Sequence, residues 1–305
     1  MINPLILKEE GCVPISSKAD QILHDSTKRA LEKMLGEYPC NLLLYKLCSI
    51  GRLSEKELLT NYDLLKKSLY QILPTAAEII LRHVKYEMLR HAIFLVSDLT
   101  VEDIQNPILS ITDILNLIRK EEVMKFVREI PSHEHIVFFY EDEKIRDKIL
   151  STFFHTDTIS NRESNPPKGL LSSKPSNYNS QYDLNGFGNG NNNILYGESL
   201  DLQEQKSLKS SLYDWVQSIH SSNKSQHTPT RIANQDATWW LRNGHANEYI
   251  GFQKSLGRHI QYNVSAICSY DISELNNEFL RTVVASHSYI MFDKPFMIYK
   301  NTRDL

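Results

Sequence analysis

Two short apolar runs, far apart in the chain, each end in a tyrosine followed by a carboxylate. They are residues 133–142, His-Glu-His-Ile-Val-Phe-Phe-Tyr-Glu-Asp, and residues 264–271, Val-Ser-Ala-Ile-Cys-Ser-Tyr-Asp. Tyr140, Glu141, Tyr270 and Asp271 thus offer two phenols and two carboxylates, a set suited to a neutral hydrogen-bonding or cationic ligand and repulsive to an anion. An apolar run that hands over to polar, helix-starting residues reads as the strand-to-helix turn of an α/β sheet, and ligands gather at the carboxyl ends of such strands. If the two strands are neighbours, the four polar tips meet at one mouth. Glu141 and Asp271 would serve equally well as helix caps, and the two roles are compatible.

The remaining chemistry-bearing side chains are scattered. His135 opens the first run and His287 closes a later helix; each fits a ligand contact, a proton switch or a hydrogen-bonded core imidazole. No His or Cys pair has metal-ligand spacing, so no metal is expected, and Cys268, inside an apolar strand, reads as packing. Trp239 and Trp240 would either wall an apolar ligand cavity or fill the core. Cys12, Cys40, Cys48 and Cys268 form no C-x-x-C pair and read as reduced thiols.

Nucleotide chemistry is not expected. A phosphate-binding loop needs G-x-x-x-x-G-K-[ST], whose backbone amides and Lys hold the phosphates, and no such string occurs. Gly186-Phe-Gly-Asn-Gly190 lacks the Lys and follows no strand, so it reads as spacer. Nothing nominates a nucleophile or a cofactor, and the expected status is non-enzymatic.

The elements that must position these groups alternate. After the first strand, residues 142–154 place Ile145, Ile149, Leu150 and Phe153 on one helical face, half of a βαβ unit. The expected return strand is replaced by a tract in which nine of 38 residues (156–193) are Asn, six Ser, four Gly and three Pro. That composition cannot offset its ordering entropy and predicts a mobile insertion. Ile194-Leu-Tyr196 is the candidate remnant of the missing strand. Then follow a helix over 202–221, a short strand at 230–233, a helix over 246–260, the strand ending at Asp271, a helix over 272–287 and a terminal hairpin turning at Asp293-Lys294. The alternation predicts a mostly parallel sheet with an antiparallel edge and flanking helices.

His135-Ile-Val-Phe-Phe-Tyr-Glu141, Cys268-Ser-Tyr-Asp271 and the helix ending near His287 resemble the MEDS domain, the sensory module of methanogen and methylotroph DcmR-type regulators. The resemblance covers residues 131–305 and implies a RecA/KaiC-like fold that senses a ligand without nucleotide chemistry. The 156–193 tract departs from the MEDS pattern, whose second strand comes early.

Upstream, residues 1–16 read as a tail and residues 17–129 as an all-α bundle. Helix starts are marked by Ser26-Thr27, by the capping box Ser54-Glu-Lys-Glu57 and by Pro74. Leu58, Leu59, Tyr62, Leu65, Leu69 and Ile72 recur at helical steps and define a buried face. The order of helices loosely resembles the small helical output domains of signalling proteins in ammonia-oxidising archaea. In the segment opened by Asn106-Pro107, Ile108, Ile111, Leu115 and Ile118 keep a three-four-three spacing. It fits either packing on the helix's own bundle or a seam with a second subunit, making a homodimer; Glu122 breaks it.

Lys and Arg number 17 against 18 acidic residues in positions 1–130, and 17 against 19 in 131–305. Neither part is a basic body of the kind that attracts nucleic acid. The first residues are too short an apolar run for a signal peptide and no stretch reaches membrane-spanning length, so the expected location is cytoplasmic. The favoured function is a regulatory sensor in which the α/β part binds a small molecule or protein signal and the helical part passes on its state. The alternatives are a DNA-binding transcriptional regulator using residues 54–73 as a helix-turn-helix, and a degenerate RecA/KaiC-like enzyme.

Overall fold

The structure, a computed structural model, describes residues 4–15, 17–97, 99–105, 108–154, 168–172, 192–196, 214, 216–218, 221, 230–260 and 263–303. The chain divides into an all-α unit, Ser16–Glu122, and an α/β unit formed by Met1–Ile15 with Val123–Leu305.

In the α/β unit, α1 (Pro4–Glu9) and β1 (Cys12–Pro14) come first in the chain. The all-α unit then contains α2 (Lys18–Leu35), α3 (Glu37–Gly51), α4 (Glu55–Thr60), α5 (Tyr62–Ile72), α6 (Ala77–Ala92) and α7 (Val101–Gln105). Next, α8 (Ile111–Arg128) starts in the all-α unit and ends in the α/β unit.

Polar caps set the helix starts of the all-α unit. The Ser17 hydroxyl accepts the Ala19 N–H at 3.0 Å, and Ser54 and Glu57 form the reciprocal capping box that the sequence spells. Asn61 starts α5 by accepting the Leu64 N–H at 3.1 Å. Leu23, Leu31, Leu47, Leu65, Val84 and Met88 fill the core. Burying each such side chain contributes roughly 1.5–3 kcal/mol before entropy is counted. Glu87, buried here, is held by Lys33 at 2.6 Å.

The seam reading of α8 is overturned. Ile111, Leu115 and Ile118 are buried in the core of their own unit, while Ile108 precedes the helix and is 87% exposed. A stripe already covered by its own bundle has no free face for a second subunit. Glu122, which breaks the stripe, accepts the Ser17 hydroxyl at 2.7 Å and the Lys18 N–H, anchoring the start of α2. Asn106 and Pro107 lie outside the described residues.

The α/β unit continues with β2 (His135–Tyr140), α9 (Glu143–Phe154), β3 (Lys168–Ser172), β4 (Asn192–Tyr196), β5 (Thr230–Asn234), α10 (Thr238–Arg242), α11 (Ala246–Leu256), β6 (Val264–Asp271), α12 (Asn277–Ala285), β7 (Tyr289–Asp293) and β8 (Phe296–Asn301). The strands make one sheet in the order β1-β8-β7-β2-β6-β5-β3-β4. It is parallel from β7 to β4, with β8 and β1 antiparallel at one edge. Every residue of β2 is buried, as a central parallel strand with covered faces requires.

Two expectations change here. Residues 4–15, within the stretch 1–16 read as a tail, are part of the α/β unit, because Ile6 and Leu7 of α1 join the sheet's core and β1 pairs with β8. Gly11, at φ +71°, makes the turn between α1 and β1, and its carbonyl accepts Thr302 N–H at 3.1 Å. Within the 156–193 tract, β3 is a strand held between β4 and β5, where ladder partners satisfy its backbone on both sides. Most of that tract, and most of the helix expected over 202–221, lies outside the described residues.

Arg231 of β5 is buried, and its guanidinium donates to the carbonyls of Val127 (3.2 Å), Arg128 (3.0 Å) and Phe153 (2.7 Å). It therefore satisfies the open carbonyl ends of α8 and α9, where the helix dipoles favour positive charge. Burial lowers its pKa to about 10.

Candidate functional site

The connection after β2 runs through α9, whose Ile149 and Phe153 share a core with Ile136, Phe138 and Tyr140. The connection after β6 runs through α12, whose Leu280 and Val283 share the opposite core with Val137, Phe139 and Tyr270. Neighbouring parallel strands whose following helices cover opposite faces leave a crevice between their carboxyl ends, the position where open α/β sheets bind ligands. The β2/β6 pair meets this condition, and Tyr140 is in register with Asp271.

The four expected residues are adjacent in the sheet but not equivalent. Tyr140 lies on the α9 face and Tyr270 on the α12 face, because residues paired across parallel strands share a face and 140 pairs with 271. The Tyr140 hydroxyl accepts from Arg146 Nη1 at 3.2 Å, and burial pushes its pKa up to about 12. Tyr270 packs 6.0 Å from Phe139, centroid to centroid, and burial raises its phenol well above the usual range. Asp271 accepts the Ser273 N–H at 2.9 Å and caps a short 3-10 turn. Glu141, partly exposed, lies 4.0 Å from Lys294.

A residue missed in the sequence reading completes the turn. The buried carboxylate of Asp293, the last residue of β7, accepts the N–H of Glu141 at 3.1 and 3.0 Å and that of Asp142 at 3.0 Å. Successive amides at a strand-to-helix turn form a nest for anions. Here the protein's own carboxylate fills it. Burial raises the pKa of Asp293 despite these donors. The missed signal was positional: Asp293 ends a strand that becomes β2's neighbour only in three dimensions.

A second polar cluster lies inside the α12-side core, nearer the amino end of β2. Asn234 donates to the Tyr249 hydroxyl at 2.6 Å; Tyr249 and Gln253 donate to the Cys268 sulfur at 3.7 and 3.3 Å; that sulfur lies 3.6 Å from His135 Nε2. The His135 and His287 rings are 3.9 Å apart. Each imidazole is anchored through Nδ1 to a backbone carbonyl, Gly257 at 2.8 Å for His135 and Val283 at 2.6 Å for His287. Burial lowers His135 to about 4 and holds His287 well below 6.5, so both rings are neutral near neutral pH. It also pushes the Cys268 thiol up to about 11. Sequence spacing separated these residues; β2, β6 and the turn between α12 and β7 bring them together as a group that could hold a metal.

The two tryptophans pack. Trp240 is buried and stacks on Tyr249 at 5.5 Å, with Trp239 edge-on to it at 4.8 Å. Residues 54–73 form α4 and α5, which turn Leu58, Leu59, Leu65 and Leu69 into the bundle core.

No family model matches the chain, and no curated protein does. Among solved structures, "The cytoplasmic domain of EssC" is 14% identical, with a TM-score of 0.31 over 70% of this chain and 44% of that one. A second, "EssC (ATPases 2 and 3) from Geobacillus thermodenitrificans", is 13% identical, with a TM-score of 0.33 over 70% and 42%. This chain thus spans less than half the length of either. No helix among the described residues is long and apolar enough to cross a membrane.

Proposed function

We propose that this chain is a signal-sensing regulatory protein. Its α/β unit is a MEDS-like, RecA/KaiC-like sensory domain that binds a neutral or cationic effector at the β2/β6 switch point, and the helical unit passes on its state. The observation that carries the reading is the Asp293 carboxylate seated on the Glu141 and Asp142 amides. It removes the anion nest from use and adds negative charge to a crevice that already holds Glu141 and Asp271, so nucleotide phosphates are disfavoured and an uncharged or positively charged ligand is not. The continuity of α8 from one unit into the other supplies a covalent route for the signal.

Native mass spectrometry of the full chain, alongside calorimetry with Mg-ATP, tests the reading. A retained neutral or cationic small molecule, weakened in Glu141→Gln and Asp271→Asn, supports it. Micromolar ATP binding, or a retained ligand indifferent to both substitutions, overturns it.

A further inference from the structure

The His135, Cys268 and His287 cluster has a feature that packing does not explain. The Nε2 of His287 is fully buried and has no hydrogen-bond partner, in a side chain of 0% exposure. Leaving such an atom unpaired costs about 1–3 kcal/mol, and a native core seldom keeps the debt without reason. Both rings are anchored alike, Nδ1–H donating to a main-chain carbonyl, which fixes the tautomer; Nε2 of His135 then lies against the Cys268 sulfur, while Nε2 of His287 is left without a partner. Metal-ligating histidines are held in this way by the groups behind them.

One nitrogen of each ring and the Cys268 sulfur lie within 4.8 Å of one another. Ligand atoms around a tetrahedral or trigonal ion, with metal–nitrogen bonds near 2.0 Å and metal–sulfur bonds near 2.3 Å, sit about 3.3–3.8 Å apart. The His135–Cys268 separation of 3.6 Å already has that value, and side-chain movement of about 1 Å closes the rest.

We propose that His135, Cys268 and His287 form a buried binding site for one thiophilic transition-metal ion, and that the ion is monovalent copper. The choice of ion follows from charge and donor softness. Two neutral imidazoles and one thiolate give a neutral complex with a +1 ion and leave a net positive charge with a +2 ion. The cluster is fully buried and, among the described residues, no carboxylate joins it, so an uncompensated charge would be costly. Thiolate and imidazole donors suit copper(I), whereas structural zinc takes four strong ligands. Gln253 Nε2 and the Tyr249 hydroxyl both point donors at the sulfur and would stabilise its negative charge. Binding breaks the S–H bond and forms a copper–sulfur bond; one proton leaves to solvent, and copper keeps its oxidation state. The site is separate from the switch-point crevice, since His135 begins β2 and Tyr140 ends it.

The full chain, reduced and stripped of metal, is titrated anaerobically with copper(I) held by bicinchoninate, and separately with zinc. The expected result is one copper per chain, with affinity rising about tenfold per pH unit from about pH 6 to 8, because one thiol proton is released and the imidazoles are already neutral. Copper-edge absorption on the parent protein should show one sulfur and two nitrogen ligands. Cys268→Ser, close to isosteric, should weaken binding at least 100-fold while metal-free circular dichroism is unchanged. No competition with the chelator, a sulfur-only shell, or copper affinity unaltered in Cys268→Ser overturns the site; if Cys268→Ser does not fold, the absorption spectrum of the parent decides. One-to-one zinc binding tighter than copper overturns the choice of ion.

Discussion

Asp293 closes over Glu141: both carboxylate oxygens accept the Glu141 N–H, at 3.1 and 3.0 Å. This contact puts a carboxylate of the protein itself into the turn that follows the central strand, where a sheet of this design would otherwise receive an anion. Asp293→Ala should therefore expose the Glu141 and Asp142 amides. The variant is expected to lose about 1–3 kcal/mol of stability and to recover part of it in inorganic phosphate. The melting temperature of the parent should not respond to phosphate beyond a chloride control of equal ionic strength. A parent that responds as strongly as the variant would show that Asp293 does not guard the nest.

The two core histidines predict a pH dependence. Both have folded-state pKa values below the unfolded value of 6.5, His135 at about 4. Between those values the unfolded chain binds more protons, so stability is complete above about pH 6.5 and falls as the pH drops toward 4. His135 alone accounts for a loss on the order of 3 kcal/mol across that window. His287 adds to it in the same direction. Urea unfolding at a series of pH values should show this decline in the parent, and a shallower one in His135→Gln and His287→Gln. Equal slopes in all three would remove the histidines from the acid response.

Leu115 belongs to the bundle core, which predicts the behaviour of the α8 stripe. Leu115→Ala should cost about 3 kcal/mol through the cavity it leaves, with no change in oligomeric state by light scattering. Ile108→Asp, at an 87% exposed position, should alter stability by less than about 0.5 kcal/mol. A change of mass on Leu115→Ala without loss of stability would restore the seam.

Arg231 holds three carbonyls at two helix ends. Arg231→Met keeps most of the volume and leaves those carbonyls short of a donor. The expected cost is about 2 kcal/mol, less than the hydrogen bonds would suggest, because the substitution also relieves the desolvation of a buried charge. Arg231→Lys should fall between parent and Met in denaturant melts, since an ammonium cannot span the same fork. A fully stable Met variant would mean that the helix ends find other donors.

Local pattern alone determined the parts of this protein in which a segment decides its own fate. The all-apolar run of β2, the capping box at Ser54 and Glu57, the helical faces of α5 and α9 and the terminal hairpin, whose turn is Lys294-Pro295 and not the expected Asp293-Lys294, could be read from spacing, because side-chain periodicity and capping act within a few residues. The Tyr-acid ends of β2 and β6 were legible for the same reason. Pairing decided the rest. Whether Tyr140 and Tyr270 share a face depends on the register of β2 against β6, which offsets them by one residue and sends them to opposite cores. Pairing with β8 and β5 turned a supposed tail and part of an Asn-rich tract into strands, because ladder hydrogen bonds come from the partner and not from the segment. Packing within the bundle, not the heptad-like spacing, decided what covers Ile111 and Leu115. Asp293 reached the Glu141 amide across 152 residues, and His135, Cys268 and His287 met across a similar span. No spacing rule sees such contacts, because adjacency of strands in a sheet is a property of topology and not of sequence distance.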